Sequence, residues 1–158
     1  NSYNGPLVVD KTVYFIDEGG AKAFELPAEA GETIELKQLW TAQPKRERYY
    51  GSPVFHDGLI YAVTRFGDLS AIDAKTGEVV ATKVVKDVDP NGQFYPSIVL
   101  AGKNLYVAGD QGKSVILEPG KDLKEVARNE LEPTKATAVF EGARMYVRGR
   151  SALYCIGK

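Results

Sequence analysis

The sequence is poor in the side chains that most often carry enzyme chemistry. Its 158 residues include one histidine, one cysteine, one tryptophan and one methionine. His56 precedes a turn and is the only histidine, so the sequence lacks the side chains that a zinc site or a histidine-centred triad requires. We interpret His56 as an exposed turn residue. Cys155 cannot form an intrachain disulfide. Its neighbours Tyr154 and Ile156 predict a strand residue that faces a core.

Strong net charge and long apolar runs are also absent. The chain has 20 basic and 21 acidic residues, a formal net charge of −1, and its only basic cluster, residues 45–48, is interpreted as a solvated loop. This balance does not predict nucleic-acid binding. No apolar run approaches the roughly 18 residues of a membrane span. With 44% apolar and 26% charged residues, the composition is that of a globular domain.

A repeated pattern organises the whole chain. Each copy begins with a short strand, reverses at a turn and reaches a tyrosine nine positions later, preceded by an apolar residue. Asp57-Gly58, the turn of the second copy, is a strong hairpin signal because glycine tolerates positive φ. The four copies run from Gly5 to Tyr14, Ser52 to Tyr61, Ser97 to Tyr106 and Thr137 to Tyr146.

Repeats of roughly 40 to 50 residues built from four short strands are typical of propeller blades. The sequence therefore predicts an all-β protein, a partial β-propeller of about fifteen strands over residues 1–158, with almost no helix. Blade one includes an outer strand from Thr33 to Trp40. The predicted blades are 5–40, 52–85, 97–127 and an incomplete fourth blade at 137–156.

The second copy also carries a family resemblance. Ser52, Pro53 and Tyr61 of its inner part, and Ala71, Asp73, Thr76 and Gly77 of its outer part, match a blade signature. On these residues the chain resembles the pyrroloquinoline-quinone-like β-propellers, also called quinoprotein dehydrogenase-like propellers, in their C-terminal part. The tryptophan that ends this signature is replaced by Ala81, whereas blade one keeps it as Trp40.

The resemblance implies several further properties. Trp40 is expected to dock between neighbouring blades, with its indole N–H bonded to a carbonyl. Such propellers usually close with about seven or eight blades, so we expect further blades from the same protein or from another chain. The first residues are neither a methionine start nor a signal peptide, and we expect a piece of a longer protein. A periplasmic, secreted or cell-surface location is implied by the family alone.

Two short segments contain part of a ligand-binding motif. Asp87, Asp89 and Asn91, followed by Gly92, match the first half of a calcium loop, but Ile98 stands where its final glutamate belongs. An inter-blade loop with Asp and Asn turn residues is the favoured alternative. The segment 112–114 is interpreted as a hairpin turn, since a phosphate-binding loop needs an earlier glycine and a following helix.

Two classes of function compete. A non-catalytic scaffold for a protein or other ligand needs rigid strands and variable loops, which the linkers 41–50, 86–95 and 129–135 supply. The alternative is a part of a quinone-dependent alcohol or sugar dehydrogenase whose site lies mainly in other blades. The sequence favours the scaffold and assigns no catalytic, cofactor-binding or metal-binding residues and no cofactor. The candidate contact anchors are Tyr49, Tyr50, Phe94 and Tyr95, and packing against adjacent blades is the favoured alternative for them.

Overall fold

In a computed structural model of the chain, residues 3–29 and 31–157 are described. The ends of the predicted domain, residues 1, 2 and 158, and residue 30 lie outside this description. Within it there are fifteen strands and no helix, as predicted. The strands are β1 (Leu7–Val9), β2 (Thr12–Asp17), β3 (Gly20–Glu25), β4 (Lys37–Ala42), β5 (Val54–His56), β6 (Leu59–Val63), β7 (Asp68–Asp73), β8 (Val79–Val84), β9 (Val99–Ala101), β10 (Asn104–Ala108), β11 (Lys113–Leu117), β12 (Glu125–Glu130), β13 (Val139–Glu141), β14 (Arg144–Arg148) and β15 (Leu153–Gly157).

The strands form four antiparallel meanders, which we call blades 1 to 4. Blades 1 to 3 have the orders β1-β2-β3-β4, β5-β6-β7-β8 and β9-β10-β11-β12, and blade 4 has β13-β14-β15. The innermost strand β5 lies against both β1 and β9. Over the described residues the blades make part of a propeller and no closed ring, which confirms the predicted fold class.

The repeat register reappears in the strand pairing. The repeated tyrosine of each blade stands opposite the innermost strand, as in the pair formed by Tyr61 and Val54. Blades 1 to 3 also share a bulge between the third and fourth strands, just after the residue paired with that tyrosine, such as Ala71. Bulges increase the local twist of a sheet.

The outer strand of blade 1 begins at Lys37, so its predicted start at Thr33 was wrong.

The first turn of each blade has the backbone that the sequence predicts. Its first residue has positive φ in all four blades: Asp10 (51°), Asp57 (45°), Gly102 (61°) and Gly142 (56°). Positive φ at the centre of a two-residue turn matches the twist of the flanking strands, and aspartate and glycine tolerate it better than most residues.

The core lies between blades rather than within one sheet. Successive strand residues point to opposite faces, so Ile60 packs with blade 1 whereas its neighbour Tyr61 packs with blade 3. Three buried clusters correspond to the three blade junctions. Their main members are Ile16, Ala23, Ile60 and Ile72 for blades 1 and 2, Val63, Leu69, Leu105 and Val115 for blades 2 and 3, and Tyr106, Ala108, Ala138 and Val147 for blades 3 and 4.

Trp40 bridges blades 1 and 2. Its indole Nε1 donates to the backbone carbonyl of Ala74 at 2.9 Å, which confirms the predicted docking between blades. A Cβ atom added to Gly77 would stand 2.7 Å from the indole ring, and Gly77 has a φ of +78°. The glycine of the blade 2 signature therefore makes room for the tryptophan of blade 1.

A chain of hydroxyl groups links the first residues of the four repeats. The backbone N–H of Gly5 donates to Ser52 Oγ at 3.2 Å, that of Ser52 to Ser97 Oγ at 3.0 Å, and that of Ser97 to Thr137 Oγ1 at 3.0 Å. Each bond joins equivalent positions of consecutive blades. A hydroxyl at the start of a repeat therefore aligns the innermost strand of the preceding blade.

Replacing Ser97 with alanine is expected to lower the free energy of unfolding by about 1 kcal/mol, because it leaves the half-buried Ser52 N–H without its acceptor. Ser52→Ala removes an equivalent bond that is exposed and should cost less, and Ser97→Thr should retain most of the stability. Urea unfolding of the three variants provides the comparison. Equal losses for Ser97→Ala and Ser97→Thr would show that the hydroxyl does not matter.

The outer faces of blades 1 and 4 expose apolar side chains. Val8 and Phe15 lie on the free face of blade 1, with 55% and 38% exposed, and Val139 and Leu153 on that of blade 4, with 61% and 72%. Cys155 pairs with Tyr146 as Ala71 pairs with Tyr61, but it is exposed. The prediction that Cys155 faces a core was wrong, because within the described residues no blade follows to cover it.

Candidate functional site

One end of the blades carries the three linkers that lead to the innermost strands. Tyr3, Tyr50, Tyr95 and Lys135 each stand four residues before such a strand, β1, β5, β9 and β13 respectively. They occupy the same position of the repeat, two residues before its first residue. The fold brings these residues, 40 to 47 positions apart in the chain, into one continuous line, which we call the tyrosine row.

The tyrosine row is held by direct contacts between its members. The rings of Tyr3 and Tyr50 meet edge to face, with centroids 5.2 Å apart, and those of Tyr50 and Tyr95 stack with centroids 4.6 Å apart and planes 10° apart. Lys135 Nζ lies over the Tyr95 ring, 4.3 Å from its centroid. Stacking and cation–π contacts of this kind orient aromatic side chains before a ligand arrives.

Two arginines support the centre of the row. The guanidinium groups of Arg65 and then Arg48 lower the pKa of the Tyr50 hydroxyl below its ordinary value. Arg65 Nε lies 3.0 Å from a carboxylate oxygen of Glu47, and Arg48 Nε lies 3.6 Å from one of Glu18. Both guanidinium groups are thus paired with carboxylates beside the centre of the row.

Two cavities adjoin the row and share Lys135. The first, of about 420 Å³, is lined by the four members of the row. The second, of about 600 Å³, lies at the junction of blades 3 and 4. Its charged side chains are three cations and one carboxylate: Lys135, Arg148, Arg150 and Asp110. The surface is therefore aromatic at the blade 2 side and positive at the blade 4 side.

A third cavity, of about 510 Å³, is lined by Glu18, Gly19, Arg46 and Glu47. It includes part of the basic cluster at 45–48, which was interpreted as a solvated inter-blade loop. That cluster lies in the linker between β4 and β5, as predicted. Because its lining has one arginine and two glutamates, this cavity lacks the positive excess of the cavity at blades 3 and 4.

The four predicted contact anchors separate into two pairs. Tyr49 and Phe94 are buried, and the Tyr49 hydroxyl donates to the Lys45 carbonyl at 2.8 Å. Tyr50 and Tyr95, their neighbours in sequence, stand in the row. Sequence reasoning missed the other two members, Tyr3 and Lys135, although their common offset from the start of the repeat would have revealed them.

The residues of the half-matched calcium loop are engaged separately. Asp87 bonds to Arg128 at 2.8 Å, which lowers the pKa of its carboxyl. Asp89 is buried, which raises the pKa of its carboxyl, and it accepts the Gln111 N–H at 2.9 Å. Asn91 is exposed. Over residues 3–29 and 31–157, no three His, Cys, Asp or Glu side chains are grouped as metal ligands.

The other singled-out residues lie away from the row. His56 ends β5 and is half-buried, with Nε2 3.3 Å from Asp57 Oδ2, so its interpretation as an exposed turn residue was wrong. Gly112 forms a turn with a φ of +92° and Lys113 begins β11, which confirms the predicted hairpin. In the part of the chain that the structure describes, no helix has the length and apolar character to cross a membrane.

Known structures share this arrangement of blades. BamB from Moraxella catarrhalis aligns over 99% of this chain and 45% of its own length, with 14% identity and a TM-score of 0.72. Quinohemoprotein alcohol dehydrogenase from Comamonas testosteroni aligns over 82% of this chain and 21% of its own, with 16% identity and a TM-score of 0.61. The computationally designed Ika4 protein aligns over 99% and 91%, with 8% identity and a TM-score of 0.69.

At these identities the structural likeness establishes the fold alone. The chain spans less than half the length of the BamB structure. No protein of curated function matches the sequence. The family described as outer membrane protein assembly factor BamB, however, matches residues 35–126, more than half of the 158 residues. This chain belongs to that family of pyrroloquinoline-quinone-like propeller repeats.

Proposed function

We propose that this chain is a non-catalytic part of a propeller that binds a protein partner through the tyrosine row and the cavities beside it. The observation that carries the proposal is the row itself, in which Tyr3, Tyr50, Tyr95 and Lys135 are ordered against one another across four blades. Tyrosines and arginines predominate among the residues that contribute most to protein–protein binding.

The construction of the row suits recognition of a protein. Tyr50 is already packed against the rings of both Tyr3 and Tyr95, so little side-chain freedom remains to be lost when a partner binds. The strands beneath the linkers form a rigid base, and loops on a rigid base are where binding residues concentrate. The family supports the same reading, since its description names a protein assembly factor.

The proposal extends to location and to the rest of the propeller. The family description names an outer membrane protein assembly factor, which supports a periplasmic or cell-surface location, and fractionation of cells that express the full-length protein tests it. The exposed apolar faces of blades 1 and 4 support coverage by further blades, from the same protein or another chain. Sedimentation of residues 1–158 as a well-behaved monomer would contradict that coverage.

The test of function is site-specific photo-crosslinking of the full-length protein in its own cells. A photoreactive residue at Tyr95 is expected to yield a discrete adduct with another protein, located in the cell envelope. The control position is Asp57, an exposed turn residue at the opposite end of the blade 2 strands. An adduct formed equally from both positions would contradict a specific surface at the row.

The competing function is a quinone-dependent dehydrogenase, and a second measurement distinguishes it. The full-length protein is titrated with the quinone and calcium and then assayed for dye-linked oxidation of alcohols or sugars. We expect no turnover that depends on this segment. Reconstituted oxidation that is lost when Tyr95 or Lys135 is replaced would overturn the scaffold proposal.

A further inference from the structure

The cavity between blades 3 and 4 holds cations that lack acidic partners. Lys135, Arg148 and Arg150 line it, and among the described residues none of the three has a carboxylate oxygen within 4.0 Å. Elsewhere on the same end of the blades, Arg48 and Arg65 are each paired. Within the described part of the chain, Lys135, Arg148 and Arg150 are thus three unpaired cations that line a single cavity.

The carboxylates nearest this cavity are bonded to other groups. Asp110 Oδ1 accepts the Gln93 N–H at 2.9 Å and Gln111 Nε2 at 3.1 Å. Glu132 accepts the N–H and hydroxyl of Ser151. These bonds hold both carboxylates to nearby turns, and neither carboxylate has an oxygen within 4.0 Å of a charged nitrogen of the three cations. The three cations outnumber the two carboxylates, so the cavity has a positive excess that attracts carboxylates from outside.

The tyrosine row continues this positive surface. Tyr95 has one ring face against Tyr50 and Lys135 over the ring, so its ring edge remains for contact with a ligand. The edge of an aromatic ring carries partial positive charge and is the side that favours an anion. Lys135 borders both cavities, which makes the row and the cationic cavity one surface.

We propose that this surface binds a short acidic segment of the partner protein, with its carboxylates at Lys135, Arg148 and Arg150 and its main chain along Tyr95 and Tyr50. The inference rests on the proposed protein-binding function and specifies the chemistry of the partner. A long polyanion suits the surface less well, because Glu18 and Glu47 follow at the far side of the row and the chain as a whole has a net charge of −1.

The test measures binding of two fluorescein-labelled peptides to the full-length protein by fluorescence anisotropy. One peptide has six glutamates around one phenylalanine, and the other has glutamines at those six positions. The acidic peptide should bind, and the double variant Lys135→Glu/Arg150→Glu should weaken it by about tenfold or more, since reversing two charges replaces two attractions by repulsions. Added salt should weaken the wild-type interaction.

The matched control is Lys103→Glu/Lys11→Glu, which makes the same charge change in exposed turns at the opposite end of the blades. This variant should bind the acidic peptide as the wild type does, and Lys135→Arg should retain binding. Circular dichroism of each variant shows whether the fold is intact. An equal loss in the control variant, or equal affinity for the glutamine peptide, would overturn the inference.

The outcome also separates this inference from the proposed function. A protein adduct at position 95 without binding of the acidic peptide would refute the acidic segment and leave the scaffold function standing. Neither adduct nor peptide binding would refute both. Binding of anionic lipid vesicles at least as tight as that of the acidic peptide, and lost in the same double variant, would assign the surface to lipid headgroups and refute a protein segment.

Discussion

Replacing Trp40 with alanine is expected to lower the free energy of unfolding by about 3 kcal/mol, the lower end for truncating a tryptophan because its side chain is only half-buried. The substitution removes the packing against Gly77 and the bond to the Ala74 carbonyl. Denaturant unfolding followed by far-ultraviolet circular dichroism measures the change, since the variant has no tryptophan fluorescence. Leu39→Ala is the control, because Leu39 is exposed on the same strand.

The contact between Trp40 and Gly77 gives a second, sharper test of the same junction. Gly77→Ala places a Cβ atom 2.7 Å from the indole at a φ of +78° and should destabilise the chain by about 1 kcal/mol or more. In the double variant Trp40→Ala/Gly77→Ala the indole is gone, so the steric part of the Gly77→Ala cost disappears. The loss of unfolding free energy in the double variant should therefore be smaller than the sum of the losses in the two single variants. Simple additivity, or a Leu39→Ala loss as large as that of Trp40→Ala, would contradict the docking role.

The free energy of unfolding is expected to fall steeply above pH 10, in large part because of Tyr49. Burial, and then the charges of Asp68 and Glu47, raise the pKa of Tyr49 above its ordinary value of 10.0. The folded state then keeps a proton that the unfolded state has lost. The stabilisation that comes from the protonated Tyr49 hydroxyl is fully present below the pKa of Tyr49 in the unfolded state. It decreases by about 1.4 kcal/mol for each pH unit as the pH rises from that value toward the pKa of Tyr49 in the folded state.

Tyr49→Phe removes this titration and should flatten the alkaline decrease, although it also loses the bond to the Lys45 carbonyl and so costs about 1 kcal/mol at pH 8. The slope should not vanish, because burial also raises the pKa of Tyr61. Tyr50→Phe is the control, since the pKa of Tyr50 is lowered and its removal should not flatten the decrease. Parallel curves for the wild type and Tyr49→Phe from pH 8 to 12 would refute the assignment.

Much of the fold could be predicted because its determinants are local. Asp57-Gly58 specifies a tight turn within two residues, and alternation specifies the pairing of the strands on either side. Each repeat contains both signals, so four copies predict four sheets. The start of the outer strand in blade 1 was misplaced because Ile34 and Leu36 alternate as a strand would, yet both are exposed ahead of β4.

The candidate site was only half predicted. The aromatic residues of the linkers 41–50 and 86–95 gave Tyr50 and Tyr95 together with Tyr49 and Phe94 as candidates, but neighbouring linker residues have no regular alternation that predicts which one is buried. Phe94 is enclosed by the turn at Gly67 and Tyr49 by blades 1 and 2. Asp87 and Asp89 illustrate the same limit, because their spacing is that of a metal loop whereas Arg128 and Gln111, their partners, come from blade 3 and its turn.

The sequence by itself determined the repeat, the turns and the all-β blades, because those features depend on residues within about ten positions of one another. Only the tertiary structure decided that Tyr3, Tyr50, Tyr95 and Lys135 form one row and that Cys155 is exposed where Ala71 is buried. Both depend on how one blade is placed against the next. That placement brings together residues more than forty positions apart and covers a sheet face only where a neighbouring blade follows.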